Sequence, residues 1–281
     1  MGLVYRLADY EAYARRVGAA TVIDLTRRTD PARASIVWER LRDVRDAYGA
    51  PWIVQVWTKN PAGVLALGQD LLRELMDAGT TVAAQVTVTG LAGTPWEPLV
   101  PADGLRALPR LAWLLGGAAH ITWRYDPILP SVHSPERFTT LARQAAEAGI
   151  SRGVINFVAA PGHYKRVDRR LQALLPGWAE GMPGYDAGWK EAVARELVEI
   201  AAEQGIALGC CAESAGLAGR VPGLRVAACG DYEWFAALSG QRPPRAPFRG
   251  SRPGCGCVPY FDVGMYGNWS RCHRCAYCYA G

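Results

Sequence analysis

The sequence predicts an α/β fold: a TIM-like (β/α) barrel, partial, with six or seven βα units and a C-terminal cysteine-rich tail. Three observations predict it. Short β-branched apolar runs alternate with amphipathic stretches from about residue 20 to 240. Glycines close the amphipathic stretches. Polar residues follow nearly every apolar run on its C-terminal side. Short continuous apolar runs read as buried strands, and strand–helix alternation repeated this often implies a parallel sheet.

The runs, in order, are 21–26 (TVIDLT), 52–57 (WIVQVW), 82–88 (VAAQVTV), 120–123 (HITW), 153–158 (GVINFV), 206–210 (IALGC) and a weaker 225–229 (RVAAC). Between them, Leu65, Leu67, Leu71, Leu72 and Leu75 recur at roughly helical spacing, as do Val193, Leu197, Ile200 and Ala201. Ser134 followed by Pro135 reads as a helix cap with proline in the first turn. Gly79, Gly149 and Gly205 each stand between a helical stretch and a strand, where glycine supplies the left-handed turn that ends a helix.

Barrel and open sheet differ in where polar residues fall. Arg27, Arg28 and Asp30 follow the first run, Lys59 and Asn60 the second. Gln85, Thr87 and Thr89 lie in or after the third, Arg124 and Asp126 end the fourth, Asn156 lies in the fifth, and Glu213 follows the sixth. Polar groups at the C-terminal end of nearly every strand fit a barrel whose site is built at that face. An open doubly wound sheet would gather them at one switch point. Singly, each has a plainer reading: Arg124 and Asp126 pairing with each other, Lys59 as a solvated loop residue. Their recurrence is what points to a site. The chain thus divides into a barrel over 1–240, a Pro/Gly/Arg-rich connector over 241–254 and a cysteine-rich segment over 255–281.

Half of the 281 residues are apolar and a fifth are charged, a globular composition. The net charge is +5, but only Lys59, Lys165 and Lys190 of the 31 basic residues are lysines. That skew reads as compositional bias more than as a phosphate-binding face. The N-terminus lacks the apolar core of a signal peptide, Arg6 stands where myristoylation needs Ser or Thr, and the longest apolar run, 111–119, is far short of the ~20 residues of a membrane span. The expectation is a cytoplasmic protein with no membrane partner, where thiols stay reduced and cysteine groups bind metals more often than they form disulfides.

Five of the eight cysteines lie in the last 27 residues: Cys255 and Cys257, then Cys272, Cys275 and Cys278. Two residues between cysteines let one tight turn aim both sulfurs at a single centre, the spacing of bacterial ferredoxin clusters. A structural zinc site with His273 is the main rival, though the cysteines are dense for one tetrahedral ion. Cys211 and Cys229 fall at predicted strand ends on the same face as the polar set. Alone, a buried cysteine is usually a small core hydrophobe. With Cys255 and Cys257 they make four ligands, which close a cluster, and Cys272, Cys275 and Cys278 make three, which leave one iron open.

Several segments carry a resemblance to a known family: Thr26-Arg-Arg-Thr-Asp30, Trp57-Thr-Lys-Asn-Pro61, Gln85-Val-Thr-Val-Thr-Gly90, Trp123-Arg-Tyr-Asp-Pro-Ile128, Cys211-Ala-Glu213, Gly254-Cys-Gly-Cys257, Asp262-Val-Gly264, Tyr266, and the stretch 272–280. Together they resemble domain of unknown function 1848 (DUF1848). The family's tail is similar to the cluster-binding loop of radical SAM enzymes, which usually lies near the start of their partial barrel. Tyr277-Cys278-Tyr279-Ala280 is like that loop in spore photoproduct lyase. The resemblance implies a barrel topped by a [4Fe–4S] cluster, with S-adenosylmethionine possible on its open iron.

The expected function is therefore an iron–sulfur, radical-SAM-like redox enzyme with its site at the C-terminal mouth. Arg27, Arg28, Lys59, Asn60, Gln85, Thr87, Arg124 and Asn156 are candidate substrate-binding residues; Asp30, Asp126 and Glu213 are candidate acid–base groups. The expected partners are a small or nucleotide-like substrate and an electron donor such as a ferredoxin or flavodoxin. Two alternatives stand beside this reading: a zinc or other non-redox metalloenzyme, and a nucleic-acid binding or repair protein with a structural cluster.

Overall fold

A computed structural model describes residues 5–211, 215–248, 255–267, 269 and 271–280. The candidate acid–base residue Glu213 lies outside the described residues. The strands are β1 (Val22–Leu25), β2 (Ile53–Thr58), β3 (Thr81–Thr87), β4 (Ile121–Ile128), β5 (Arg152–Phe157), β6 (Ala207–Cys211), β7 (Arg225–Ala227) and β8 (Phe261–Asp262). The helices are α1 (Leu7–Val17), α2 (Ser35–Tyr48), α3 (Pro61–Asp77), α4 (Leu108–Leu115), α5 (Pro135–Glu147), α6 (Lys165–Leu171), α7 (Ala187–Glu203), α8 (Ala215–Ala218) and α9 (Tyr232–Ser239). All eight strands are parallel in one sheet of order β7-β6-β5-β4-β3-β2-β1-β8. Each of the first seven strands lies beside its successor in sequence, so the sheet winds in one direction with no switch point.

Strand alternation sorts the side chains into two sets. Ile23 and Leu25, Val54 and Val56, Val82, Ala84 and Val86, Trp123 and Tyr125, Ile155, and Leu208 and Cys210 join one core with the helices. The opposite parity carries Asp24, Gln55, Gln85, Thr122 and Arg124, all buried and all polar. Those residues face the interior of a curled sheet. The curl is visible in its hydrogen bonds: the Gln55 and Gln85 amides of β2 and β3 donate to the Cys229 carbonyl beyond β7, at 2.6 and 3.3 Å. At the N-terminal end of the strands, Trp52 packs against Tyr232 and Phe235 of α9, and Val22, Ile53 and Ala83 share that second cluster.

Helix ends follow from their sequence. Asn60 accepts from the Gly63 amide and caps α3, whose first residue is Pro61. Ser134 accepts from the Arg137 amide ahead of Pro135. Asp186 caps α7 and Asp231 caps α9. The two-residue strand β8 pairs with the outer edge of β1, Ile23 to Phe261 and Asp24 to Asp262. The tail therefore joins the same sheet as the barrel strands. No hydrogen-bonded ladder joins β7 to β8. Among the described residues no helix is long and apolar enough to cross a membrane.

Candidate functional site

The C-terminal ends of the strands surround a cavity of about 700 Å³, within the range of small-molecule pockets. Cys211, Cys229, Cys255, Cys257, Cys272, Cys275 and Cys278 all line it. Cys210, the eighth cysteine, points the other way and is a core residue. Sheet alternation explains the difference between neighbours: Cys210 has the outward parity of β6, Cys211 the inward one.

The tail is tied across the mouth by contacts to loops far apart in sequence. Met265 O accepts from the Thr29 hydroxyl at 2.7 Å, and Val263 O from the Arg40 guanidinium at 2.8 Å. A Cβ on Gly264 would stand 2.3 Å from Thr26 Oγ1, so the tail approaches the loop after β1 as only glycine allows. The Leu99 amide donates to His273 O, the Ala276 amide to Trp96 O, and Arg170 to Ala276 O and Cys278 O. His273, 2% exposed, sits between Leu99 O at 2.9 Å and Asp30 Oδ2 at 2.8 Å. Asp30 also accepts from Thr58 Oγ1, the Lys59 amide and the Ala32 amide. Its carboxylate is thus a hub that holds the tail and the ends of β1 and β2 together.

Two groups of sulfurs result. Cys272, Cys275 and Cys278 stand on the tail's turn, where the Cys278 amide donates to Cys275 O at 3.2 Å and the Asp30 amide to Cys272 Sγ at 3.5 Å. Burial pushes the Cys272 and Cys275 thiols up, and the Lys59 ammonium draws Cys275 back. Cys211, Cys229 and Cys257 form the other group. Cys229 Sγ lies 3.3 Å from Cys211 Sγ, and the Gly230 amide donates to Cys257 Sγ at 3.3 Å. Hydrogen bonds from Cys211 and Cys257 hold the Cys229 thiol well below its usual range, with Arg124 and Arg27 adding to the effect. Among the described residues no three His, Cys, Asp or Glu side chains are drawn together as a site for a single ion.

Ion pairs form the cavity's polar lining. Arg124 is 5% exposed, pairs with Asp126, and lies 3.9 Å from Cys229 Sγ. Asn156 donates to Asp126 Oδ2 at 3.1 Å and accepts from the Cys211 amide at 3.3 Å. Arg27 pairs with Asp24 and lies between two rings, 3.9 Å from the Tyr260 centroid and 4.6 Å from that of Trp57. Burial raises the Asp24 carboxyl to about 6, against the pull of Arg27. Arg27 Nη2 is buried without a hydrogen-bond partner among the described residues. Arg28 approaches Asp262 at 3.6 Å and stacks on Tyr266. Lys59 meets Glu97 at 2.9 Å, and Glu97 also accepts from Thr89 at 2.7 Å and from Tyr277.

The structure thus brings Arg27, Arg28, Asp30, Lys59, Thr87, Arg124, Asp126 and Asn156 to one cavity with the seven cysteines. Gln85 sits beneath it and holds Cys229 O, while Asn60 is turned to the α3 cap. The sequence reading passed over Asp24 and Glu97, and gave Asp262 no task of its own. Asp24 carried a signal, as the one charge inside an apolar strand run. Glu97 carried none, because its loop has no periodicity that would tie it to Lys59.

Residues 40–280 match the profile of the family described as "Domain of unknown function (DUF1848)". The chain belongs to the DUF1848 family. No curated protein matches it in sequence. Among solved structures, it is similar to the carboxyl transferase domain of Rhizobium etli pyruvate carboxylase (14% identity, 78% of this chain, 33% of that one, TM-score 0.38). It is also similar to Streptococcus suis SuiB bound to S-adenosylmethionine (14%, 73% and 42%, TM-score 0.36) and to an L-ribulose 3-epimerase (15%, 79% and 78%, TM-score 0.37). The DUF1848 chain spans 33% and 42% of the length of the first two of these structures.

Proposed function

We propose that this DUF1848 protein is an iron–sulfur redox enzyme of radical-SAM-like type, with its reaction chamber in the cavity at the strand ends. The observation that carries the proposal is the placement of Cys272, Cys275 and Cys278 on one turn in the wall of that cavity. The donor set fits a [4Fe–4S] cluster. Three thiolates from one tight turn leave a fourth iron without a protein ligand, the Asp30 amide donates to one sulfur, and Lys59 and Arg170 supply positive charge nearby. When bound, such a cluster supplies one electron at a time to a ligand at its open corner.

The chain's own residues have separate tasks in this reading. Asp30 and His273 hold the tail, and so the cluster ligands, over the mouth. Lys59, fixed by Glu97, presents its ammonium beside Cys275 and stacks 5.4 Å from the Tyr277 ring. Arg124, Asp126 and Asn156 form a linked donor–acceptor set in the same cavity, suited to orienting a small polar or nucleotide-like substrate. Asp126 is the candidate for moving a proton, since it is partly exposed and accepts from Arg124 and Asn156. S-adenosylmethionine is the proposed ligand of the open iron. A reduced ferredoxin or flavodoxin is the proposed electron source.

The test is anaerobic purification with iron and sulfide analysis, followed by EPR of the reduced protein with and without S-adenosylmethionine. A cluster signal that changes on adding S-adenosylmethionine supports the reading. Zinc in place of iron overturns it. An iron–sulfur signal indifferent to S-adenosylmethionine overturns the radical-SAM-like assignment and leaves an electron-transfer or structural cluster.

A further inference from the structure

Cys211 ends β6, and Cys229 follows β7, its neighbour in the sheet, where Cys211 pairs with Ala227. Both cysteines line the cavity at the strand ends, and both are partly exposed thiols. Their sulfurs stand 3.3 Å apart. The backbone of each is pinned by side chains of other strands. Asn156 Oδ1 accepts from the Cys211 amide at 3.3 Å, and Gln55 and Gln85 donate to the Cys229 carbonyl at 2.6 and 3.3 Å. Buried polar side chains thus hold two thiols face to face in the cavity wall.

A separation of 3.3 Å is shorter than metal ligation sets. Two thiolates on one tetrahedral zinc, each at about 2.3 Å from the ion, stand about 3.8 Å apart. Thiolates on different irons of a cubane stand farther apart still. A pair that merely filled the core would be closed off from the cavity, as Cys210 is. Closing a disulfide, in contrast, asks each sulfur to move by about 0.6 Å. Cys257 is less suited to the pair, because it is buried and its sulfur accepts from the Gly230 amide at 3.3 Å. Of the two thiols, Cys229 is the one beside a cation: Arg124 Nη2 is engaged by Asp126, and Nη1 donates to Cys229 Sγ at 3.9 Å.

We propose that Cys211 and Cys229 are a redox-active dithiol that reduces a small-molecule disulfide entering the cavity. Cys229, as the thiolate, attacks one sulfur of the incoming disulfide. That S–S bond breaks, a mixed disulfide forms on Cys229, and the first small thiolate leaves. Cys211 then loses its proton, attacks Cys229 Sγ and expels the second thiolate. The two leaving thiolates take up two protons, one from Cys211 and one that Cys229 gave to solvent. One small disulfide and one dithiol thus become two small thiols and a Cys211–Cys229 disulfide, and two electrons pass from protein to substrate. The substrate is a small molecule because both sulfurs lie in the wall of a cavity and not on the outer surface. This centre uses none of Cys272, Cys275 and Cys278, so it holds or fails apart from the cluster proposed for them.

The probe is oxidised glutathione, added anaerobically in excess to the full wild-type chain. Disulfides are mapped by mass spectrometry after alkylation of the remaining thiols, with fragment ions separating Cys211 from Cys210. The expected result is a Cys211–Cys229 disulfide that reductant reverses, with about two reduced glutathiones released per bond. Cys211→Ser should stop at a glutathione adduct on Cys229, and Cys229→Ser should release glutathione at least about tenfold more slowly than wild type. A wild type that keeps both thiols in excess oxidised glutathione overturns the proposal. So does a bond from Cys229 to Cys257, or to any cysteine other than Cys211. Glutathione release from Cys229→Ser at the wild-type rate overturns Cys229 as the attacking sulfur. The wild-type map needs no variant to fold, and far-UV circular dichroism of each variant separates slow exchange from loss of fold. Iron per chain, counted in the same samples, tests the tail cluster separately. Iron present without a Cys211–Cys229 bond overturns the dithiol alone, and the bond formed in a chain that binds no iron on reconstitution upholds the dithiol and overturns the cluster.

Discussion

Asp30→Ala tests whether the tail is docked by the hub described above. The Asp30 carboxylate accepts from Thr58 Oγ1 at 2.8 Å, the Lys59 amide at 2.6 Å and the Ala32 amide at 2.9 Å, and contacts His273 Nε2 at 2.8 Å. Alanine leaves the buried donors without an acceptor. Only the His273 contact spans the tail and the barrel, so only its share weakens docking. A hydrogen bond to a buried charged group is worth about 1.5–3 kcal/mol, with the cost of an orphaned donor added. We take about 2–3 kcal/mol, which raises the population with the tail released by roughly 30- to 150-fold. The assay is the alkylation rate of Cys275 in the apo protein, followed by mass spectrometry. Cys275 is 6% exposed, so its labelling reports release. Cys210, fully buried on the outer face of β6, is the internal control for global unfolding. His273→Ala should act in the same direction. A Cys275 rate within about threefold of wild type, with the circular dichroism spectrum unchanged, would refute the hub.

Lys59→Met should destabilise the protein by about 3–5 kcal/mol near neutral pH, because it leaves the Glu97 carboxylate buried without its cation. Burial opposes the Glu97 charge, but Lys59 outweighs it and holds the group below its usual range. The stability so gained is present above the ordinary carboxylate range and is lost as pH falls through the lower folded value, so the gap in urea midpoint between variant and wild type should narrow in acid; a constant gap counts against the assignment. Asp24 has the opposite sign. Its folded value of about 6 lies above its usual 3.8, so the native state takes up a proton first, and this group's contribution to stability rises as pH falls through 6. Trp57 Nε1 donates to Asp24 at 3.1 Å. Its fluorescence, taken as wild type minus Trp57→Phe, should show a step near pH 6 that Asp24→Asn abolishes; a flat titration would sink this. Phe138→Ala removes a fully buried ring packed 5.2 Å from Trp123 and 4.9 Å from Tyr125 on the outer face of the sheet. It should cost about 3–5 kcal/mol and leave iron content per folded chain unchanged; iron loss would show that sheet and site are coupled.

Much of the fold was legible because the barrel strands are buried on both faces. Such strands are written as apolar runs, and the runs at 52–57 and 153–158 lie within a residue of β2 and β5. The run at 120–123 stopped short of β4, which continues to Ile128. Arg124 and Asp126 there face the cavity and interrupt the apolar pattern that marks a strand. β8 was not legible at all: two residues carry no periodicity, and Phe261 and Asp262 are strand only because the edge of β1 is open beside them. At the site, residue type showed where polarity falls but not what it does. Asn60 and Asp30 have the side chains that recognise substrates and also those that cap turns. Asn60 turned to the α3 cap, while Asp30 caps the turn at Pro31–Arg33 and also joins the tail. Only the partners of each group decide between such tasks, and those partners, such as Glu97 for Lys59 or His273 for Asp30, lie 38 and 243 residues away.

The position of the tail follows from a property of curled sheets. A strand's place around a barrel is set by its neighbours and not by its order in the chain. β8 comes last in sequence but lies against β1, on the side away from β2. A loop leaving the C-terminal end of β8 therefore enters the mouth beside the loop that leaves β1. The contacts follow from that adjacency: Met265 with Thr29, Cys272 with the Asp30 amide, His273 with the Asp30 carboxylate. A cysteine segment at the end of the chain and one placed just after a first strand thus reach the same region of the mouth. Beyond β8 this segment is held by side chains of the barrel. Asp30, Arg170 and Glu97 do that pinning, through His273, Ala276 with Cys278, and Tyr277. That is why buried polar residues, costly elsewhere in a core, gather under this segment.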